Sequence, residues 1–170
     1  YYGICCAEAS ANLARFDGVR YGMRAEGAET LEELYIKSRS LGFGEEVKRR
    51  MTFGALILGG DYKKDIYENA LRMRARINSE LADAFGKVDL LMLPTSSGYA
   101  YKAGDLKDGL FDAHAKDDLL CTLSSLSGLP SISLPCSTVR KLPLGIQLVG
   151  RAFEEKTLFE VAAHLQCALN

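Results

Sequence analysis

Val88-Asp89-Leu90-Leu91-Met92-Leu93-Pro94 is the stretch on which the fold turns. A short apolar run that a proline stops suits a strand buried on both faces, as in a parallel sheet covered by helices. Helical patterns precede it. Leu31 to Ser40 reads as a helix that Thr30 caps, with Glu33 at the capping-box position and Gly42 as its stop. From Glu45 to Leu58 the apolar residues Val47, Met51, Ala55 and Leu58 recur at spacings of three and four, and Gly59-Gly60 breaks the pattern. A longer helix is expected from about Asp61 to Phe85, with Ile66, Ala70, Met73, Ile77, Leu81 and Phe85 on one stripe and Gly86 as terminator. Arg72, Arg74 and Arg76 fall mostly off that stripe, which suits a solvated face with ion pairs better than a nucleic-acid contact.

The residues after the apolar run complete an α/β pattern. Residues 95–112 form a polar, Gly-containing loop of the kind that often carries function. Asp117 to Leu126 reads as a helix returning the chain to a second strand, Ser131 to Cys136, and a right-handed crossover is the expected connection. Leu144 to Val149 alternates, and the short link before it allows antiparallel pairing with the preceding strand. Glu154 to Leu169 closes the chain as an amphipathic helix with Leu158, Val161, Ala162 and Leu165 inward. The fold class expected is α/β, a mixed sheet flanked by helices, in a single domain over 1–170.

The composition is that of a globular chain: 170 residues, 48% hydrophobic and 25% charged. Its 21 basic and 22 acidic residues nearly cancel, so no global field draws it to nucleic acid or a membrane. No apolar run approaches the roughly 20 residues that span a bilayer. Five scattered cysteines (Cys5, Cys6, Cys121, Cys136 and Cys167) show no metal-ligand spacing and point to a reduced compartment, cytoplasmic or organellar matrix.

A self-contained active site is not found. His114 and His164 stand apart, and neither an H-x-x-x-H pattern nor a carboxylate cluster offers a metal site. Ser124 and Ser125 sit at a helix end before Gly128, not in a glycine-dense loop that could bind an oxyanion, so neither is read as a nucleophile. Gly42-Phe43-Gly44 and Gly59-Gly60 punctuate helices and do not follow a strand as phosphate-binding glycines do.

Other stretches carry a resemblance. Glu8 to Gly22, Gly42 to Arg50, Asp89 to Thr95, Gly128 to Cys136 and Pro143 to Gly150 together resemble the C-terminal portion of the amidase signature fold. Arg15-Phe16-Asp17-Gly18-Val19-Arg20-Tyr21-Gly22 is similar to the family's tRNA-amidotransferase branch. The resemblance covers nearly the whole chain. It implies a Gly/Ser-rich signature, with a serine pair and a lysine, ahead of Tyr1. Catalytic residues are accordingly expected to be none here, and the isolated chain inactive.

The resemblance also implies chemistry for the intact protein: a serine attacks an amide, and glutamine yields ammonia for amidating Glu-tRNA(Gln) or Asp-tRNA(Asn). Glutamine is the small-molecule substrate, subunits B and C are the partners, and tRNA is met through the complex. No cofactor is implied for this chain, whereas ATP and Mg are implied for the partner subunit; no metal site or membrane is implied. By matching motif, Arg50 corresponds to the residue that grips the glutamine α-carboxylate, a task suited to an arginine fork. Asp118, with Asp117 as the neighbouring register, corresponds to the partner of the α-ammonium. Tyr1, in the doublet Tyr1-Tyr2, matches a tyrosine of the substrate pocket. A surface ion pair with Glu46 at i−4 is the structural alternative for Arg50. The functional alternatives are another amidase-signature hydrolase, or a stand-alone binding or scaffold domain without catalysis.

Overall fold

The computed structural model describes residues 1–60, 62–102, 110–139 and 141–169, with backbone alone over 110–117. They pack as two units, Tyr1–Met73 and Arg74–Asn170.

In the first unit, α1 (Tyr2–Leu13) lies against α3 (Glu45–Leu58), and α2 (Leu31–Gly42) sits between them in the chain. The α1–α3 crossing is made possible by Gly54. A β-carbon there would fall 2.6 Å from the Cys6 carbonyl carbon and 2.7 Å from Ser10 Cβ, so the backbone of α1 occupies the space a side chain would need. Buried Cys6, Ala7 and Ile57 form the core at this crossing, with Tyr2, Leu58 and Tyr67 packed around them. The buried face of α3 is therefore centred on Gly54 and Ile57, and Ala55 of the expected stripe faces out.

Thr30 caps α2 as its sequence suggests, its hydroxyl accepting from the Glu33 N–H at 3.1 Å. The reciprocal arm differs. Glu33 reaches one residue further and accepts from the Glu29 N–H. Gly42 is still helical, and the stop comes at Phe43, which turns extended.

The loop before α2 is braced from within. Asp17, buried, accepts from the Val19 and Arg20 N–H groups, and Ser38 of α2 accepts from the Ala25 N–H. Gly18 has φ +78° and lies so close to Ser38 that a β-carbon would sit 2.6 Å from Ser38 Cβ. Arg39 donates to the carbonyls of Leu13 and Phe16, tying the end of α1 and the loop to α2. Arg15 to Gly22 is thus held mainly by its own Asp17 and by the Gly18 N–H bond to the Tyr21 carbonyl, with Arg39 adding a bond from α2 at Phe16.

The long helix expected from Asp61 is in two parts, a π-helical turn (Lys63–Glu68) and α4 (Asn69–Phe85). Residue 61 lies outside the described residues. Arg72 pairs with Glu68 and Arg76 with Glu80, the solvated ion-pair face anticipated for this cluster. Only the end of the apolar stripe reaches a core. Leu81 and Phe85 are buried, whereas Met73 is 58% exposed.

The second unit is an α/β layer arrangement. β1 (Leu90–Pro94), α5 (Leu110–Ser127), β2 (Ser131–Val139), β3 (Leu142–Gly150) and α6 (Glu155–Leu169) follow α4. The sheet order is β1-β3-β2, and both outer strands pair antiparallel with β3. β1 and β2 therefore run the same way without bonding one another. Among the described residues this differs from the reading of Val88 to Leu93 as a strand buried within a parallel sheet, since the β2–β3 hairpin inserts β3 between the two and puts β1 at the edge of the three-stranded sheet, with Met92 58% exposed.

Side-chain alternation divides the sheet. Leu134 and Leu148, with Ile132 and Ile146, face Leu158 and Ala162 of α6; Val161 of that helix points away from the core. Val149, Leu91 and Leu93 face the other way, toward Leu81 and Phe85 of α4 and Leu123 of α5. Each face buries its own apolar cluster, the main favourable term for a layer of this kind.

Candidate functional site

Arg50 stands on α3 at a point where three elements of chemistry meet. Its Nε donates to Glu46 Oε1 at 2.8 Å, the i−4 pair that the spacing allows. Its Nη1 donates to Cys5 Sγ at 3.5 Å, and its guanidinium carbon lies 5.8 Å from the centre of the Tyr2 ring. Tyr2 in turn packs tilted against Phe53, with ring centres 6.2 Å apart. The Arg50 side chain is thus held on one side by a carboxylate and backed by an aromatic face, an arrangement that fixes a guanidinium plane.

Glu46 serves two arginines. Its second oxygen accepts from Nε and Nη2 of Arg49 at 2.9 and 2.5 Å. The bonds from Arg50 and then Arg49 hold the Glu46 carboxyl below the usual carboxylate range, and the Glu46 bond raises Arg50 further above neutrality. Burial pushes the Cys6 thiol up, which suits packing and not reactivity. Tyr1 is the N-cap of α1 and half exposed; it is Tyr2 whose ring lies at Arg50.

Asp118 is an exposed residue of α5 in the second unit, so it and Arg50 are each described within their own unit. The side chains of Asp117 and His114 lie outside the described residues. Two residues beyond Asp118, α5 is fastened to the sheet. Gln147 of β3, 4% exposed, donates through Nε2 to the Leu120 carbonyl at 2.9 Å. Cys121 Sγ donates to the Thr95 carbonyl, just past the end of β1, at 3.0 Å. Beside these, the Thr95 and Ser133 hydroxyls bond at 2.9 Å over Gly145, where a β-carbon would stand 2.9 Å from Thr95 Oγ1.

The sheet face beneath α5 is graded as a result. At one end lie Leu91, Val149 and Leu129; at the other lie Thr95, Ser133, Gln147 and Gly145. No sequence pattern singled out Gln147. The available signal was one amide side chain inside the apolar stretch Leu144 to Val149, where an unbonded polar group would be unfavourable by about 1 to 3 kcal/mol.

Ser124 is buried, its hydroxyl donating to the Cys121 carbonyl and accepting from Ser131 Oγ. Those are bonds of a structural serine. No group of three His, Cys, Asp or Glu side chains able to hold a metal occurs among the described residues, and no helix there is long and apolar enough to cross a membrane. The five cysteines are all free thiols.

The Amidase family profile matches residues 1–159, and the chain belongs to that family. Within it, the chain is similar to the A subunit of the Glutamyl-tRNA(Gln) amidotransferase of Desulforamulus reducens, 45% identical over 98% of this chain and 34% of that protein. The same subunit of Lawsonia intracellularis is 47% identical over 95% of this chain and 33% of its own length. Among solved structures, the A subunit of the Glutamyl-tRNA(Gln) amidotransferase of Thermotoga maritima superposes with TM-score 0.56 at 30% identity, over 94% of this chain and 32% of that one. A crystal structure of an amidase gives TM-score 0.65 at 27% identity, over 82% and 32% of the two chains. The chain spans about a third of the length of the relatives it matches.

Proposed function

We propose that this chain is the C-terminal, amino-acid-recognising part of a glutamine-hydrolysing amidotransferase subunit. The observation that carries the reading is similarity of 45 to 47% identity, over 95 to 98% of this chain and about a third of theirs, to proteins named as that subunit. In the intact enzyme, a serine nucleophile outside these 170 residues attacks the glutamine side-chain amide and releases ammonia. The ammonia amidates Glu-tRNA(Gln) or Asp-tRNA(Asn) on partner subunits B and C, where ATP and Mg are used, in the cytoplasm or an organellar matrix. The chain as a whole acts as one domain of that enzyme.

Its own residues bind and orient. Arg50, backed by Tyr2, takes the α-carboxylate of glutamine through a charge-assisted fork. Asp118 meets the α-ammonium, and Tyr1 lines the pocket. A substrate without the amine would leave the Asp118 carboxylate without its partner, which is how such a site rejects simple amides.

The test compares Arg50→Ala with Arg49→Ala in the full-length subunit. Loss of a fork from a desolvated carboxylate costs on the order of 2 to 5 kcal/mol in kcat/KM for glutamine. Loss of a rim charge costs under about 1 kcal/mol. Equal effects, or a larger effect at Arg49, would remove Arg50 from the site.

A further inference from the structure

Asp118 bears its proposed task from an exposed position on a helix, and a helix that slid or rolled by a fraction of a turn would carry its carboxylate off target. The substrate atoms such a group meets must be placed to within about half an ångström. What holds α5 in place close to Asp118 is therefore part of specificity. The Leu120 carbonyl is a helix-interior acceptor, which the helix ladder already satisfies. The bond from Gln147 is additional to that ladder, and it ties the turn to the central strand of the sheet.

Neighbouring contacts make this fastening local. Toward its C-terminal end, α5 rests on the apolar part of the sheet through Leu123 and is joined to β2 by the Ser124–Ser131 bond. Toward Asp118 the sheet face becomes polar, and apolar packing gives way to two hydrogen bonds, Gln147 to Leu120 and Cys121 to Thr95. Apolar contact is non-directional and tolerates sliding, whereas a buried amide bonded to a single carbonyl sets register. The thiol of Cys121 is the weaker donor of the two.

We infer that Gln147 is a positioning residue for substrate specificity: by holding the Leu120 turn of α5 on β3, it sets Asp118 for the α-ammonium of the amino acid. The inference rests on the proposed role of Asp118 and adds a residue that touches no substrate atom.

The experiment uses the full-length subunit in its complex. Two amides are compared, glutamine and its analogue without the α-amine, glutaric acid monoamide. Asp118→Asn tests the underlying reading and should reduce kcat/KM for glutamine at least tenfold while changing the analogue less than twofold. Gln147→Met keeps length and burial but removes the donor. It should reproduce that pattern, raising KM for glutamine about tenfold with kcat little altered, and leave the analogue within twofold. Gln147→Glu supplies a donor only while its carboxyl is protonated, so its glutamine-to-analogue ratio should rise toward the parent value as pH is lowered. Equal loss on both amides in the Gln147 variants, from misfolding or a purely structural role, overturns the inference, as does a glutamine preference that survives Gln147→Met. If Asp118→Asn itself fails to discriminate, the reading of Asp118 falls first and the inference with it.

Discussion

Gly54→Ala is the substitution for which helix propensity and packing disagree most sharply in this chain. In an unobstructed helix interior, alanine is favoured over glycine by about 1 kcal/mol. Gly54 is not unobstructed. The added methyl would stand 2.6 Å from the Cys6 carbonyl carbon and 2.7 Å from Ser10 Cβ, and nearer still to the Cys6 carbonyl oxygen. Ordinary carbon–carbon contact is about 3.5 to 4.0 Å, so α1 and α3 must part by roughly 1 Å. The obstacle is backbone and cannot rotate away. Separation opens the cluster of Cys6, Ala7 and Ile57, whose members are at most 1% exposed. Overpacking of this kind costs about 1 to 3 kcal/mol or more, which outweighs the propensity gain. With backbone as the obstacle the upper end of that range applies, so the expected result is a net destabilisation of about 2 kcal/mol, read as a lower midpoint at unchanged slope in urea unfolding of the chain. Gly44→Ser provides the contrast: Gly44 is the N-cap of α3 with nothing within 4 Å of a β-carbon, so a serine there should be neutral or stabilising by a few tenths of a kcal/mol. A Gly54→Ala chain as stable as the parent would refute the close α1–α3 approach.

Three further outcomes are expected. The Asp17 carboxyl is held below its usual range by the N–H groups of Arg20 and Val19, so its contribution is fully present above the unfolded value of about 3.9 and is lost as pH falls through the lower folded value. Asp17→Asn, which keeps an acceptor but does not titrate, should flatten the acid limb of the stability–pH curve; an unchanged limb would rule Asp17 out as its source. Gly145→Ala should break the Thr95–Ser133 hydroxyl bond and lower stability by about 1 to 2 kcal/mol, and Thr95→Val in the same background should then add little, as double-mutant unfolding would show. The outer edges of β1 and β2 have no strand partner among the described residues, so the 170-residue chain by itself should self-associate, and a single monomeric boundary in sedimentation velocity would contradict this.

Periodicity located most elements because it reports a local property, which face of a segment avoids water. Thr30 with Glu33, the α3 span from Glu45 to Leu58, and Leu158 with Ala162 were legible on that basis. What depends on a distant partner was not. Val47, Met51, Ala55 and Leu58 define a plausible stripe, but the face α3 buries is chosen by α1, whose backbone seeks the one side chain that is missing, at Gly54. Strand order escaped for the same reason. Val88 to Leu93 reads as apolar whether it ends up central or at an edge, and the β2–β3 hairpin decides that. At the site, the Arg50–Glu46 pair was visible from i−4 spacing, whereas the ring of Tyr2 behind it required α1 to be placed. Gln147 was hidden because its partner is a carbonyl, which every residue has.

The two-arginine grip on Glu46 gives the α3 site an occupant of its own. Glu46 is a carboxylate tethered one helical turn from Arg50, and a tethered group of this kind competes at an effective concentration in the millimolar range or above. On the role proposed for Arg50, an amino acid must displace it to use the whole fork, and its apparent affinity falls by the fraction of time the fork is engaged. Arg49 changes the balance, because its bonds to the second oxygen of Glu46 remain if the Arg50 bond is given up. On that same proposal Glu46 is a place-holder that keeps the guanidinium oriented and, already bonded to Arg49, does not strand its own charge when a carboxylate takes Arg50.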